Sequence, residues 1–194
     1  MLNKNILAEL QNQIGIENLI FENEALRTYK QDGLSGYSGE PSGVALPGNE
    51  QEVIEIIKIC NKYNLEVVIR GSGTGLSVGA NPKKGALVLS TSRLNQIVSI
   101  DPKKRIAKVQ PGVRNLSVSD AARPHGLFYA PDPSSQIACS IGGNVAENSG
   151  GVHCLKYGLT LHNVLRIRAV TIEGDVFEAG SEAFDTPGYD LMAL

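Results

Sequence analysis

A run of alternating glycines follows a short hydrophobic stretch in the first half of the chain. The run reads Arg70-Gly71-Ser72-Gly73-Thr74-Gly75 and comes directly after Ile69. Alternating glycines let the backbone turn sharply and present successive N–H groups to one anion, such as a phosphate. No acidic residue occurs between Arg70 and Lys84, so no charge in this stretch would repel a diphosphate. The run therefore predicts a phosphate-binding loop.

Two familiar phosphate-binding motifs are excluded at this position. No Gly-Lys-Ser/Thr follows, so the run is not a Walker loop. Gly71-x-Gly73 is followed at the third position by Leu76 instead of glycine, which departs from the Rossmann fingerprint. An ordinary strand-to-loop turn without a ligand stays open as the alternative interpretation.

A second glycine-rich segment, residues 140–151, holds four glycines with hydroxyl and amide side chains between them. Small residues let a flat ring approach the main chain, and asparagine amides can both donate and accept hydrogen bonds. A rigid polar turn at 131–135 precedes it. Two separated glycine segments suit a long ligand such as a dinucleotide. The candidate residues here are Ser140, Gly142, Gly143, Asn144, Asn148, Gly150 and Gly151, after Pro131, Asp132, Ser134 and Ser135.

The histidines and cysteines do not form a recognisable catalytic or metal site. Cys60, Cys139 and Cys154 are widely spaced, so neither a disulfide framework nor a zinc site is predicted. The three histidines, His125, His153 and His162, lack metal-ligand spacing, and each is interpreted as a packed or surface residue. No Gly-x-Ser-x-Gly elbow occurs. No catalytic residue and no metal ligand is assigned.

Composition excludes several classes of protein. The chain has 194 residues and a formal net charge of −2, which argues against a sequence-independent nucleic-acid binder. About 70 % of the extended surface of such a chain could be buried on folding, which is enough for a stable core without disulfides or a bound metal. No signal-peptide pattern and no run of 18 apolar residues is present. We therefore expect a cytoplasmic protein without an integral membrane segment.

The elements that would position the two glycine segments fall into two different patterns. Up to about residue 95, strands alternate with a helix that starts at Asn49, which indicates a small parallel α/β unit. Beyond residue 96, short strands joined by tight turns indicate antiparallel hairpins. We expect an α+β chain divided into a helical and turn-rich segment 1–40, a subdomain 41–95 and an incomplete subdomain 96–194. The predicted elements are helices over 4–14, from 49 onwards and over 115–122, and strands at 44–46, 65–69, 86–89, 97–100, 106–109, 165–169 and 176–177.

Side-chain patterns give three further expectations. Val53, Ile56, Ile57 and Cys60 would form the buried stripe of the helix that starts at Asn49. Arg166 and Arg168 alternate with apolar residues and are interpreted as a solvated strand face. The apolar ending at residues 190–194 is interpreted as a cut through a longer protein.

At its glycine segments the sequence resembles a family of flavoproteins. It is similar to the FAD-binding (PCMH-type) domain of the glycolate oxidase large subunit and of the D-lactate and D-2-hydroxyglutarate dehydrogenases, in the vanillyl-alcohol-oxidase superfamily. The resemblance extends from about Leu34 to Leu194. Its motifs, in order, are residues 68–77, 109–113, 124–135, 141–151, 156–158 and 187–191.

The resemblance implies two α+β subdomains with FAD between them. The stretch from Arg70 through Leu76 to Ser77 would be the pyrophosphate loop. Ser134, Ser135 and residues 140–151 would line the flavin side, with Tyr157 and Gly158 nearby. Relatives that attach flavin covalently use a histidine in the first loop, where this chain has Thr74 and Gly75, so non-covalent FAD is expected.

The resemblance also implies an activity that this stretch of chain cannot complete. Relatives are about twice as long or longer, and their continuation carries the cap domain with the groups that orient the substrate and accept its proton. The expected whole protein oxidises glycolate or D-lactate, and its partners would include an iron–sulfur subunit or an electron-transfer flavoprotein, through which it could be peripheral to a membrane. The alternative is a non-catalytic flavin-binding module that works with a separate chain.

Overall fold

The first half of the chain forms a four-stranded sheet in a computed structural model that describes residues 2–182 and 189–193. The strands are β1 (Leu19–Ile20), β2 (Gly43–Ala45), β3 (Val67–Arg70) and β4 (Leu87–Ser90). Their order in the sheet is β1-β2-β4-β3. β2, β4 and β3 are parallel, as predicted, and β1 is added at the edge, antiparallel to β2.

Two helices, α1 (Lys4–Ile14) and α3 (Glu50–Lys62), cover one face of this sheet. Because side chains alternate along a strand, Leu87 and Leu89 point into this core, whereas Val44 and Val88 face the other side with the short helix α2 (Asn23–Leu26). The helix at Asn49 is confirmed, with Asn49 as its N-cap.

The predicted stripe of α3 needs one correction. Ile56, Ile57 and Cys60 are buried as expected, together with Ile54 and Ile59, but Val53 stays partly exposed. Burial also raises the pKa of the Cys60 thiol to about 12, so this cysteine is a core residue. Residues 1–40, which the sequence sets apart, supply α1 and β1 to the same core.

In its described residues, the second half contains two separate antiparallel hairpins and three α-helices, in agreement with the predicted α+β pattern. In one hairpin β5 (Ile97–Asp101) pairs with β6 (Ile106–Val109), and in the other β7 (Arg166–Val170) pairs with β8 (Val176–Gly180). The helices are α4 (Asn115–Ala122), α5 (Ile141–Glu147) and α6 (Cys154–Tyr157). The motif that begins at Pro187 lies partly outside the described residues.

An ion pair joins the second half to the first. Arg168 on β7 donates to both carboxylate oxygens of Glu50 on α3, at 2.7 and 2.9 Å. It also contacts Glu178 on β8, as does Arg166. Both arginines are exposed, as expected of a solvated strand face. They are paired with carboxylates there because the hairpin packs against the start of α3.

Neither a membrane-crossing helix nor a metal cluster is found in the part of the chain that the structure describes. No helix there is both long and apolar enough to span a bilayer. No group of three or more His, Cys, Asp or Glu side chains is arranged to hold a metal ion. All three cysteines are free.

Candidate functional site

The loop that follows β3 presents an uninterrupted row of free backbone donors. We call residues 71–80 the first loop. Among the described residues, no acceptor is found for any of its ten backbone N–H groups. Residues 71–80 are exposed or half-exposed, so water or a ligand takes the bonds of these N–H groups. The loop lies at the carboxyl end of a parallel strand, where open α/β sheets bind ligands.

Two backbone carbonyls of the first loop accept hydrogen bonds from residues outside the loop. Gly33 N–H donates to Gly75 O at 2.9 Å, and Asn81 N–H donates to Val78 O at 3.1 Å. Val78 has a φ of +67°, an outlier for a β-branched residue that costs on the order of 1–3 kcal/mol. These two carbonyls are thus bound to the protein, whereas the N–H groups have no acceptor among the described residues.

Arg70 lies beneath this loop. Its guanidinium is buried and donates to Thr28 O at 3.1 Å and Ala80 O at 3.5 Å. Gly73, with a φ of +67°, passes so close to the guanidinium that a Cβ atom there would overlap it. Burial lowers the pKa of Arg70, while Tyr29 and Asp32 oppose that effect. Arg70 therefore supports the backbone of the first loop and places a positive charge next to it.

Helix α5 runs along the first loop and brings the two glycine segments together. Gly71 lies against Ser140, the N-cap of α5. Seven residues further along the helix, Glu147 Oε1 accepts a hydrogen bond from Ser77 Oγ at 2.5 Å. The second segment is therefore a helix up to Glu147, not a loop throughout as the sequence suggested.

The first loop itself has no acidic residue, as the sequence shows, but two carboxylates from elsewhere in the chain lie close to it. Glu147 approaches Gly75 and Gly79, and the buried carboxylate of Asp32 lies near Arg70. Both come from distant parts of the chain, so the local sequence around the first loop gave no sign of them. One Asp32 oxygen accepts from Leu34 N–H at 2.9 Å, and the other lacks a donor among the described residues.

The amino end of α5 has no free donors for an anion. Ile141 N–H donates to Val113 O and Gly142 N–H to Pro111 O, both at 2.8 Å. Gly143 N–H donates to the Ser140 hydroxyl at 3.4 Å. Gly142 and Gly143 therefore allow α5 to pack closely, and the free donors belong to the first loop.

Two buried polar groups on the second half lack partners in the described part of the chain. Asn144, on α5, is 2 % exposed, and its amide Nδ2 has no acceptor. The Tyr129 hydroxyl also has no partner, and burial raises the pKa of Tyr129 to about 12. A buried donor without an acceptor costs about 1–3 kcal/mol, which an acceptor on a ligand would offset.

The turn at 131–135 packs against the glycines after α5. The main chain of Asp132 lies directly against Gly151, and its carboxylate binds both the backbone N–H and the ring of His153. Pro131 O accepts from the buried Asn115 amide at 3.0 Å. The hydroxyls of Ser134 and Ser135 make no hydrogen bond within residues 2–182 and 189–193.

The remaining predicted residues lie at the end of this segment. Asn148 ends α5 in a left-handed conformation and accepts from Leu161 N–H at 3.0 Å. Gly150 lies against Leu159, and Gly158 lies against the ring of His162. The Tyr157 ring meets Phe128 edge to face at 5.8 Å. These contacts fix the segment that is predicted to line the flavin.

The structure therefore joins the predicted residues into two neighbourhoods, the first loop with α5 and the 131–135 turn with residues 150–158. Sequence reasoning assigned no individual role to Asp32, Glu147, His153, Phe128 and Tyr129. Glu147 lies in the second glycine segment, and Phe128 and Tyr129 lie in the motif at 124–135, but their contacts with distant parts of the chain were not predictable.

Comparisons with known proteins identify a family model, curated relatives and solved structures that are similar to this chain. Residues 41–180 match the family model described as FAD binding domain. The chain is 50 % identical over 189 residues to glycolate oxidase subunit GlcD of Escherichia coli K12, covering 97 % of this chain and 38 % of that protein. It is 38 % identical over 152 residues to D-lactate dehydrogenase of Archaeoglobus fulgidus, covering 78 % of this chain and 34 % of that protein.

The fold also matches a solved structure. Alkyldihydroxyacetonephosphate synthase superposes with a TM-score of 0.87 at 20 % identity, over all of this chain and 37 % of that one. This likeness confirms the expected fold. The chain spans about two fifths of the length of the curated relatives that it matches.

Proposed function

Because the chain belongs to the FAD-binding domain family, we propose that its first loop holds the diphosphate of FAD without a covalent bond to the flavin. We propose further that the whole protein is a flavin-dependent dehydrogenase that oxidises a D-2-hydroxy acid, glycolate or D-lactate, to the 2-oxo acid. This stretch of chain would be its FAD-binding portion.

The row of ten unpaired N–H groups in the first loop carries the proposal. Diphosphate oxygens accept several hydrogen bonds at once, and backbone nests of this kind favour anions. The buried Arg70 guanidinium adds a positive charge beneath the loop. Gly71, Ser72, Gly73, Thr74, Gly75, Leu76 and Ser77 would therefore contact the diphosphate.

The second neighbourhood fits the rest of the cofactor. Asn144 has a buried amide donor in need of an acceptor, and FAD offers carbonyl, hydroxyl and phosphate oxygens. The side chains that would line the flavin are those of the 131–135 turn, the segment 148–151 and Tyr157. When bound, FAD supplies a two-electron acceptor, whereas the residues of this chain bind it, orient it and exclude water.

The names of the relatives support the substrate class. Half of the aligned residues are identical to a glycolate oxidase subunit, so glycolate is the first substrate to test. Because GlcD is named as a subunit, we propose a partner chain that receives electrons, such as an iron–sulfur subunit or an electron-transfer flavoprotein. We propose a cytoplasmic location. The alternative remains a flavin-binding module that works only with a separate chain.

Flavin titration tests the cofactor site. We expect the purified chain to take up FAD, seen as a shifted flavin absorption and quenched fluorescence, and to bind riboflavin at least about tenfold more weakly, a difference of 1.4 kcal/mol. Riboflavin is the matched probe because it lacks the diphosphate. No FAD uptake, or equal affinity for the two flavins, would contradict the proposed loop contact.

Turnover tests the second part of the proposal. We expect the FAD-loaded 194-residue chain not to oxidise glycolate or D-lactate, since the expected substrate-orienting groups belong to the continuation of its relatives. Measurable oxidation by this chain would overturn that part and leave the FAD site in place.

A further inference from the structure

A carboxylate lies at the edge of the first loop, although that loop is proposed to hold an anion. Glu147 is the last residue of α5 and is exposed. Its Oε1 atom accepts from Ser77 Oγ at 2.5 Å. The same oxygen would lie 3.4 Å from a Cβ atom on Gly75 and 3.1 Å from one on Gly79. The carboxylate therefore lies alongside the second half of the loop.

Neither the helix nor a cation stabilises this carboxylate. Glu147 stands at the carboxyl end of α5, where the helix dipole disfavours a negative charge. No lysine, arginine or histidine among the described residues pairs with it, and its hydrogen bond is to the neutral Ser77. A residue that departs from local electrostatic preference without a compensating contact is typical of a functional position.

The first loop offers a ligand neutral donors and no charged side chain. Residues 71–80 contain no ionisable group. The cations that flank them in the chain are engaged elsewhere. Arg70 donates to two backbone carbonyls and lies near the carboxylate of Asp32. Lys83 and Lys84 pair with glutamates outside the loop, at 3.2 and 3.8 Å. Backbone N–H groups would therefore hold the ligand, with a carboxylate beside them.

From this distribution of charge we infer that Glu147 is a specificity-determining residue of the first loop, which accepts a diphosphate diester and rejects nucleotides with a terminal phosphate. The inference rests on the proposed function and deepens it. Each phosphate of FAD is a diester with one negative charge, whereas a terminal phosphate monoester carries up to about two. A repulsive group that acts against the wrong ligand is a common source of specificity.

Coulomb's law gives the expected size of the discrimination. One added negative charge about 4 Å from the carboxylate should weaken binding by about fivefold, equivalent to about 1 kcal/mol. ADP carries about one charge more than the diphosphate of FAD, and ATP about two more. Because the carboxylate is exposed, added salt should reduce the penalty.

Titration calorimetry of the 194-residue chain with FAD, ADP and ATP, in EDTA to exclude Mg²⁺, tests the inference. Glu147→Gln removes the charge and keeps an oxygen that accepts from Ser77. We expect this variant to lower the ratio of the ADP Kd to the FAD Kd by about fivefold, and the ATP ratio by about 25-fold. Glu55→Gln is the matched control, because it changes the net charge equally at a position on α3, and it should leave both ratios unchanged.

A purely structural role of Glu147, in holding the first loop to α5, would alter the affinity for all three ligands alike. If FAD binds and Glu147→Gln leaves the ratios unchanged, the inference is overturned and the proposed cofactor site stands. Undetectable ADP and ATP binding to both the parent chain and Glu147→Gln would also overturn it, since repulsion by Glu147 would then not be what excludes them. If FAD does not bind, both the proposed function and the inference are wrong.

The parent chain gives a second test that does not depend on the folding of a variant. We expect ATP to bind more weakly than ADP at low ionic strength, and the difference to shrink as salt is added. A loop that attracted phosphate charge without discrimination would bind ATP more tightly. Tighter binding of ATP than of ADP by the parent chain would overturn the role of Glu147.

Discussion

Gly71 lies so close to Ser140 that a Cβ atom on residue 71 would overlap the Ser140 hydroxyl. Gly71 begins the first loop, and Ser140 is buried as the N-cap of α5, where its hydroxyl accepts from Gly143 N–H. The two glycine segments, 69 positions apart in the sequence, meet at this contact. A side chain at residue 71 must therefore shift the loop or uncap the helix.

We expect Gly71→Ala to weaken FAD binding and to destabilise the fold. Loss of an N-cap costs about 0.5–2 kcal/mol, and displacement of the first loop should lower FAD affinity by about tenfold or more, equivalent to 1.4 kcal/mol. Urea unfolding and fluorescence titration with FAD measure the two effects. Gly36→Ala is the control, since a Cβ there meets no atom within 4 Å. Equal behaviour of the two variants would contradict the close packing.

Two buried asparagines form a matched pair for the second test. Asn115 is 1 % exposed and its amide donates to Pro131 O, whereas Asn144 is 2 % exposed and its amide donor is unpaired. Without FAD, Asn115→Ala should cost about 1–3 kcal/mol more than Asn144→Ala, because only the former leaves a buried carbonyl unpaired.

Added FAD should stabilise the two variants by different amounts. A ligand that binds only the native state raises its stability in proportion to RT ln(1 + [L]/Kd). We expect this gain to shrink in Asn144→Ala and to persist in Asn115→Ala, as measured by urea unfolding at fixed FAD. An undiminished gain in Asn144→Ala would mean that FAD does not use the amide.

Arg70 provides the third prediction. Its buried guanidinium holds two carbonyl groups, and hydrogen bonds to a charged group contribute about 1.5–3 kcal/mol. Arg70→Met should lower stability on that scale and also weaken FAD binding, because the positive charge beneath the loop is lost. Arg70→Lys should retain part of the affinity, since it keeps the charge without the planar fork.

The exposed Arg123 is the control for Arg70. It pairs only with Asp120 on the same short stretch of chain. Arg123→Met should change neither the urea midpoint nor the FAD titration. If Arg70→Met behaves like Arg123→Met, the guanidinium does not support the first loop.

Local patterns were sufficient for most of the framework. Alternating and helical periodicities predicted β2 to β8 and α4, whose bounds agree with the expected 115–122, but not the two-residue strand β1. The same reasoning treated residues 140–151 as loop because glycine disfavours helix. The Ser140 cap and the carbonyls of Pro111 and Val113 override that preference, and these acceptors are distant in sequence.

The chemistry of the site depended more on long-range contacts. Alternating glycines favour a turn that presents its N–H groups, so the free donors of the first loop could be predicted from the sequence. The pairing of Asp132 with His153 spans 21 residues, and that of Ser77 with Glu147 spans 70. Neither has a spacing that marks a motif. The sequence therefore did not predict the carboxylates around the loop, although it did predict that the loop directly follows a strand.

The Glu50–Arg168 pair gives a pH-dependent prediction. The hydrogen bonds that Arg168 donates to Glu50 lower the pKa of Glu50 below the ordinary value of 4.5, whereas burial has a smaller effect in the opposite direction. A carboxyl with a lowered native pKa stabilises the fold above its unfolded-state pKa, and that contribution is lost as the pH falls through the native value. The pair is half-exposed, so added salt should weaken it.

We therefore expect Glu50→Gln to lower the urea midpoint at pH 7 and to approach the parent chain as the pH falls from about 5 to 3, where the parent loses the same interaction. The change should be smaller than that of Arg70→Met. Because the pair links the β7–β8 hairpin to α3, amide exchange in β7 and β8 should quicken. Glu55→Gln, whose contacts among the described residues, with Lys58 and Gln51, both lie within α3, should leave hairpin exchange unchanged. Faster exchange in both variants would show that the pair does not anchor the hairpin.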